Sequence, residues 1–247
     1  MKSQKSEFAS TVVLIGGGTS NALAKRLCDL CGKKPHVLIF PTARRDEEDF
    51  ISEVCECFEP YAKKLDVIKL TKEKIPCEQI RDKMLSCDLI YVPGGSNEAL
   101  MYYWERYGID KYLREASLRE NLVLAGSSAG GIYFSRAGFN DYEDGSYHFI
   151  DGLGIVPVWF GPHYQSDVWK GFDSELSDKR EPALAFTASN DAGILCSPDG
   201  KFYTFFGAES NRIWRFVYDK QTESWKKTSY SPLDSDDMYN LTDITPC

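Results

Sequence analysis

The sequence predicts an α/β fold with one mainly parallel sheet and helices on both of its faces. Short apolar, β-branched runs alternate with amphipathic segments through five cycles, and several of these runs end in turns rich in Gly or Pro. Runs that are apolar at every position are typical of strands buried on both faces of a parallel sheet. Alternation with helices then implies a three-layer, doubly wound arrangement.

The predicted elements follow one another along the first half of the chain. Strands are expected at residues 11–15, 36–40, 66–70, 88–92 and 121–125, and helices at residues 21–31, 46–64, 78–86 and 98–116. The helical segments carry apolar residues three or four positions apart, as at Leu23, Leu27 and Leu30. In such sheets, reactive groups collect at the carboxyl ends of the strands.

The alternation stops after residue 132. Residues 138–161 are rich in Asp, Gly and aromatic residues, and loops with short strands are expected there. Further strands are expected at residues 183–187, 192–196, 202–206 and 213–218. Because neither an internal repeat nor a low-complexity linker interrupts the chain, we expect a single α/β domain over residues 1–230 and a polar tail over residues 231–247.

Composition argues against several classes of function. A net charge of −8 gives no positive field for nucleic acid, and no stretch approaches the ~20 apolar residues of a membrane span. The polar first ten residues do not look like a signal peptide, so a cytoplasmic protein with free thiols is expected. The three histidines and the cysteine spacing predict no metal site, and no organic cofactor is expected.

A Gly-x-Ser-x-Gly motif at residues 126–130 directly follows the fifth predicted strand and precedes a helix-like segment. This strand–turn–helix context is that of a nucleophile elbow, in which small residues flank a serine held clear of the sheet. Ser128 is therefore the predicted nucleophile. The earlier cluster at residues 16–18 lacks the glycine spacing of a dinucleotide site.

Acyl transfer also needs two N–H donors for the developing oxyanion. Ala129, the residue after the nucleophile, is the first expected donor. The segment at residues 93–97 ends the preceding strand, and Gly94 or Gly95, with Gly95 favoured, is expected to supply the second. Asn97 closes this segment and is included among the predicted substrate-binding residues.

The nucleophile needs a base, and His163 is the favoured candidate because Gly161 and Pro162 place it at a strand end. His148 lies in an acidic loop and is the second choice, whereas His36 opens a buried strand. A carboxylate should orient the imidazole. The sequence leaves this residue open among Asp141, Glu143, Asp144 and Asp191, with Asp167 ranked lower for its nearness to the histidine.

Together these motifs resemble peptidase family S51, which includes dipeptidase E and cyanophycinase and has a sheet related to that of class I glutamine amidotransferases. The matching segments are residues 93–97, 126–130 and 161–164, with weaker matches at 14–18 and 190–194, so that the resemblance spans roughly residues 11–210. It implies Ser128 as nucleophile, His163 as base and donors near Gly95 and Ala129. Glu143 matches the family's acid by spacing and Asp191 by context, and Asp191 is preferred.

The resemblance further implies a serine peptidase acting on small peptides next to aspartate, without metal or cofactor. An aspartyl preference would need a cation, for which the sequence offers Arg44, Arg45, Lys170, Lys179 and Arg180 without singling one out. Two alternatives stay open: a non-catalytic binding protein on the same scaffold, and an esterase or amidase of non-peptide substrates. The expected partner is a small peptide, not nucleic acid or membrane, and the sequence leaves open whether the chain forms a homodimer.

Overall fold

The computed structural model describes residues 8–142, 144–181, 183–207 and 211–232, and the elements below lie within these ranges. The strands are β1 (Thr11–Ile15), β2 (His36–Ile39), β3 (Lys64–Val67), β4 (Leu89–Val92), β5 (Val123–Ser127), β6 (Ser135–Asp141), β7 (Tyr147–Asp151), β8 (Val156–Gly161), β9 (Leu184–Ala188), β10 (Ala192–Cys196), β11 (Phe202–Phe206), β12 (Ile213–Asp219) and β13 (Ser224–Tyr230). The α-helices are α1 (Asn21–Asp29), α2 (Glu48–Phe58), α3 (Cys77–Ser86), α4 (Asn97–Tyr107), α5 (Ile109–Ser117), α6 (Ala129–Phe134) and α7 (Gly171–Ser177), and Pro41–Arg44 and Asp167–Lys170 form 3-10 turns.

The first sheet contains the predicted parallel core. Its strand order is β11-β10-β1-β5-β4-β2-β3. The five strands from β1 to β3 in this order pair in parallel, and β10 and β11 extend the β1 edge in antiparallel fashion. The predicted α/β class with a mainly parallel sheet is therefore confirmed.

Helices cover both faces of this sheet, as predicted. Alternate residues of β1 point to opposite sides: Val13 and Ile15 pack with α1 and α2, whereas Val12 and Leu14 belong to the cluster that contains α3, α4 and α5. All four of these side chains are fully buried. Burial on both faces explains why the strand sequences are apolar at every position.

A second, six-stranded sheet follows in the order β13-β12-β9-β8-β6-β7. The short strands β6, β7 and β8 fall in the region around residues 138–161, where loops with short strands are expected from the sequence. An aromatic cluster that includes Phe139, Phe172 and Phe216 packs against this sheet. Because both large aromatic and polar residues alternate irregularly along these strands, their sequence carries a weak strand pattern.

The long helix predicted at residues 98–116 is two helices. Gly108 lies between α4 and α5 with φ of 66°, a left-handed conformation that ends α4. No helix within the described ranges is both long and apolar enough to cross a bilayer. The predicted tail at residues 231–247 lies outside the described residues from 233 onward.

The packing of α2 on the sheet can be tested by a substitution at Phe58. Its ring is fully buried and lies 4.9 Å from the ring of Tyr91, centroid to centroid. Phe58→Ala should lower the free energy of unfolding by about 3–5 kcal/mol, the cost of a large cavity, as measured by urea denaturation. Tyr102→Ala, at a residue that is 58% exposed, is the control and should change stability by less than about 0.5 kcal/mol. Equal losses in the two variants would contradict this packing.

Candidate active site

Ser128 lies in the turn that joins β5 to α6, and its backbone is strained. Its φ of 51° and ψ of −112° are unusual for a residue with a side chain, and such strain clusters at functional sites. The turn fits closely into the sheet: a Cβ on Gly130 would lie 2.2 Å from the carbonyl oxygen of Val92. The half-buried Ser128 is thus held at the carboxyl end of a central parallel strand.

His163 faces this serine from the second sheet. It follows β8, and its Nε2 lies 2.8 Å from the Oγ of Ser128, within hydrogen-bond distance. The ring of the buried Trp169 packs beside the imidazole at 5.1 Å between centroids. A hydroxyl paired with an imidazole in this way is the arrangement that activates a serine for nucleophilic attack.

The other imidazole nitrogen of His163 contacts Asn190. The Nδ1 of His163 lies 2.7 Å from the Oδ1 of Asn190. An amide oxygen can only accept a hydrogen bond, so Nδ1 carries the proton and Nε2 is left to accept one from Ser128. Asn190 therefore selects the tautomer that general-base catalysis requires.

Burial shifts the acid–base behaviour of His163. Desolvation lowers the pKa of His163 below its ordinary value of 6.5, and the hydrogen bond to Asn190 and the charge of Asp141 oppose this shift in part. A lowered pKa keeps the imidazole neutral near pH 7. The neutral form is the one that accepts the proton of Ser128.

The end of β1 anchors all three parts of the site through successive backbone carbonyls. The carbonyl oxygen of Ile15 accepts a hydrogen bond from the N–H of Ser128 at 2.9 Å, and that of Gly16 accepts one from the N–H of His163 at 2.8 Å. The carbonyl oxygen of Gly17 accepts one from the N–H of Asp191, also at 2.8 Å. The first glycine cluster therefore organises the site.

Glycines that follow β4 also lie beside Ser128. A Cβ on Gly94 would lie 2.9 Å from the Cβ of Ser128, and a Cβ on Gly95 would lie 2.2 Å from the carbonyl oxygen of Ala43. Within the described residues, no hydrogen bond is recorded from the backbone N–H of Gly94 or Gly95. Ala129 opens α6, and the first N–H groups of a helix have no partner inside it.

A profile of peptidase family S51 matches residues 12–209. The chain belongs to peptidase family S51. A relative from Bacillus subtilis (strain 168), named "Uncharacterized peptidase YgaJ", is 31% identical over 190 residues, which is 76% of this chain and 72% of the relative. Membership of this family and the similarity to this relative identify the chain as a peptidase.

Two solved structures share the fold. A peptidase from an acI-B1 Actinobacterium aligns with a TM-score of 0.68 at 17% identity, covering 96% of this chain and 99% of that one. A putative Peptidase E protein from Listeria monocytogenes EGD-e aligns with a TM-score of 0.58 at 18% identity, covering 75% of this chain and 93% of that one. The S51 fold predicted from the motifs is confirmed.

The S51 resemblance favoured Asp191 as the residue that orients the histidine, and here the structure differs. The Oδ1 of Asp191 accepts a hydrogen bond from the N–H of Ser20, at 3.2 Å, just before α1. Asp191 has a left-handed φ of 53°, and Asn190, the residue before it in the same turn, is the one whose side chain reaches His163. Glu143, the alternative acid, lies outside the described residues.

Other candidate residues of this S51 chain have different roles. Asn97 was a predicted substrate-binding residue, but it is 3% exposed, and its Nδ2 donates to the Oδ1 of Asn140 at 2.7 Å. Its place at the start of α4 turns the side chain into the core. His148 contacts Glu175 and His36 contacts Asp66, so neither is the histidine at Ser128.

Two clefts of this S51 site flank the Ser128–His163 pair. The smaller cleft has a volume of about 340 Å³, and residues that line it include Thr19, Arg44, Phe50, Glu53 and Cys57. The larger cleft has a volume of about 570 Å³, and residues that line it include Arg44, Arg45, Glu47, Glu98, Asp141 and Trp169. Both lie within the range typical of small-molecule sites.

Asn190 can be tested by its effect on the pH profile. Asn190→Asp should raise the pKa of His163, because a carboxylate stabilises the imidazolium. The acid limb of kcat/KM should therefore move to higher pH. Asn190→Ala should lower kcat about 10- to 100-fold, because the imidazole of His163 would no longer be held in its orientation towards Ser128. Asn121→Asp, at the opposite end of β5, is the control and should leave the profile unchanged; an unchanged profile in Asn190→Asp as well would exclude this role.

Gly17 packs directly against the histidine and its partner. A Cβ there would lie 2.4 Å from both the Cε1 of His163 and the Oδ1 of Asn190, and the residue has φ of 149°. Gly17→Ala should therefore separate this pair and lower kcat at least about 10-fold. Gly32→Ala, also at a left-handed glycine but with open space around it, controls for backbone strain. Thermal unfolding and kcat should be measured on both; equal activity in the two variants would contradict the packing argument.

Proposed function

We propose that the chain is a serine-type peptidase that hydrolyses small peptides through an acyl-enzyme on Ser128. The observation that carries this proposal is the contact of 2.8 Å between the Ser128 hydroxyl and an imidazole whose other nitrogen is held by Asn190. Ligand binding alone would not require a strained serine whose hydroxyl contacts a histidine in the tautomer that can accept its proton. Membership of peptidase family S51 supports the same reaction class.

The reaction proceeds in two halves. In the first, the Oγ of Ser128 attacks the peptide carbonyl while Nε2 of His163 takes the hydroxyl proton and then delivers it to the leaving amine. In the second, His163 takes a proton from water while the water oxygen attacks the ester carbonyl. His163 then returns this proton to the Oγ of Ser128 as the bond between Oγ and the acyl carbon breaks and the acid is released. Asn190 holds the ring throughout, and it stabilises the imidazolium less than a carboxylate would because it carries no charge.

The oxyanion is stabilised by backbone amides. The N–H of Ala129 at the start of α6 and an N–H from Gly94 or Gly95 are the donors we assign, since both segments border the Ser128 side chain. Such donors, fixed before the reaction begins, stabilise charge that appears only in the transition state.

The substrate is a short peptide. Clefts of about 340 and 570 Å³ are of the size that holds small molecules rather than a folded chain. The S51 resemblance implies aspartyl dipeptides as the starting substrate class, and such peptides require a cation beside the nucleophile.

A dipeptide library assayed with the native chain and with Ser128→Ala tests the mechanism. The native chain should release free amino acids, and Ser128→Ala should lower kcat by at least about 10³-fold. Ser52→Ala, an exposed serine on α2, should retain full activity. More than a tenth of native activity in Ser128→Ala would refute the mechanism, and hydrolysis of simple esters without any peptide would identify an esterase instead.

A further inference from the structure

Arg44 is the cation that both clefts share. It ends the turn Pro41–Arg44, directly after β2, and so lies at the carboxyl edge of the parallel sheet near Ser128. It lines the smaller and the larger cleft, as Ser128 and His163 also do. The Arg44 side chain therefore borders the space that a substrate bound at Ser128 would occupy.

The guanidinium of Arg44 has no anionic partner among the described residues. Its recorded contact is with the ring of Phe50, over which it lies at 5.0 Å from the centroid. Several other arginines of the described chain, by contrast, donate to protein oxygens: Arg26, Arg81, Arg114, Arg119 and Arg212. The stacked, exposed guanidinium of Arg44 thus keeps its hydrogen-bond donors available to a ligand.

The backbone that carries Arg44 is fixed from two sides. On one side, the carbonyl oxygen of Ala43 accepts a hydrogen bond from the N–H of Ser96 at 2.8 Å, which ties the turn to the segment that contains Gly95. On the other, the fully buried Asp46 accepts hydrogen bonds from the backbone N–H and the hydroxyl of Thr71, at 2.6 and 2.7 Å. The Cα of Arg44 is therefore positioned relative to the oxyanion side of the site.

Charges of the surrounding elements favour an anion at Arg44 in the smaller cleft. Among its described lining residues, Arg44 is the single Lys or Arg, and Glu53 on α2 is the single Asp or Glu. The larger cleft adds Arg45 but also three carboxylates, those of Glu47, Glu98 and Asp141. A substrate anion beside Arg44 would therefore meet less repulsion in the smaller cleft, which has one carboxylate, than in the larger cleft, which has three.

We propose that Arg44 is the specificity-determining residue of this site and binds a carboxylate of the peptide substrate; this inference rests on the proposed function. A guanidinium can hold a carboxylate through two parallel hydrogen bonds. A small peptide carries such a group on an acidic side chain or at its C-terminus. Both sources present the same chemistry to Arg44, and matched peptides separate them.

Binding in a catalytically silent background provides the test. Calorimetry on Ser128→Ala and on Ser128→Ala combined with Arg44→Gln compares three peptides: Asp-Ala-amide, Asn-Ala-amide and Asn-Ala with a free C-terminus. The Arg44 change should weaken binding of a carboxylate-bearing peptide about 10- to 100-fold, the range of one charge-assisted pair, and binding of Asn-Ala-amide less than about 3-fold. The peptide that loses affinity identifies the carboxylate.

Two further variants sharpen this test. Arg44→Lys, which keeps the charge but loses the bidentate geometry, should give an intermediate loss. Arg106→Gln, the same change at an exposed position on α4, should leave all three affinities unchanged. Equal losses for all three peptides on Arg44→Gln, no loss for any of them, or no measurable binding of either carboxylate-bearing peptide would overturn the proposal.

Kinetics separate this inference from the proposed function. With Ser128 present, Arg44→Gln should raise KM for the carboxylate-bearing peptide with little change in kcat, the pattern of lost ground-state binding. If the native chain cleaves no peptide while the binding difference persists, the proposed reaction fails and the carboxylate site stands. If peptides are cleaved and Arg44→Gln leaves KM unchanged, the reaction stands and the carboxylate site fails.

Discussion

Three successive carbonyl groups at the end of β1 are the constraint on which the site depends. Those of Ile15, Gly16 and Gly17 accept hydrogen bonds from the amides of Ser128, His163 and Asp191. These partners come from the β5–α6 turn, from the end of β8 and from the β9–β10 turn, which belong to two different sheets. The proposed nucleophile, its proposed base and the turn that carries Asn190 are thus aligned by one short backbone segment.

This alignment gives the imidazole a neutral support. The turn anchored by Gly17 presents Asn190 to Nδ1 of His163, while the adjacent carboxylate of Asp191 turns towards the start of α1. Asn190 fixes the tautomer but contributes no charge, and burial lowers the pKa of His163. The expected consequence is a base that stays neutral to lower pH and is a weaker proton acceptor than one paired with a carboxylate.

Much of this arrangement can be predicted from the sequence because local patterns carry it. The apolar strands predict the parallel sheet, and the motif around Ser128 and the Gly-Pro-His segment point to the two side chains that the structure brings into contact. The choice between Asn190 and Asp191 depends on which of two adjacent polar side chains faces His163, and the left-handed turn at Asp191 decides that. The role of Gly17 depends on contacts between segments far apart in the chain, as do the position of Arg44 in a cleft with Ser128 and the second sheet.

The central claim is that Ser128 is activated by His163, and the pH dependence of phosphonylation tests it most directly. The rate at which a fluorophosphonate modifies the chain is measured across pH, and the modified residue is located by peptide mapping. The account predicts one adduct, on Ser128, with a rate that rises through a single ionisation below pH 6.5 and is lost in His163→Ala. An adduct elsewhere, or labelling of Ser128 that His163→Ala leaves unchanged, would contradict it.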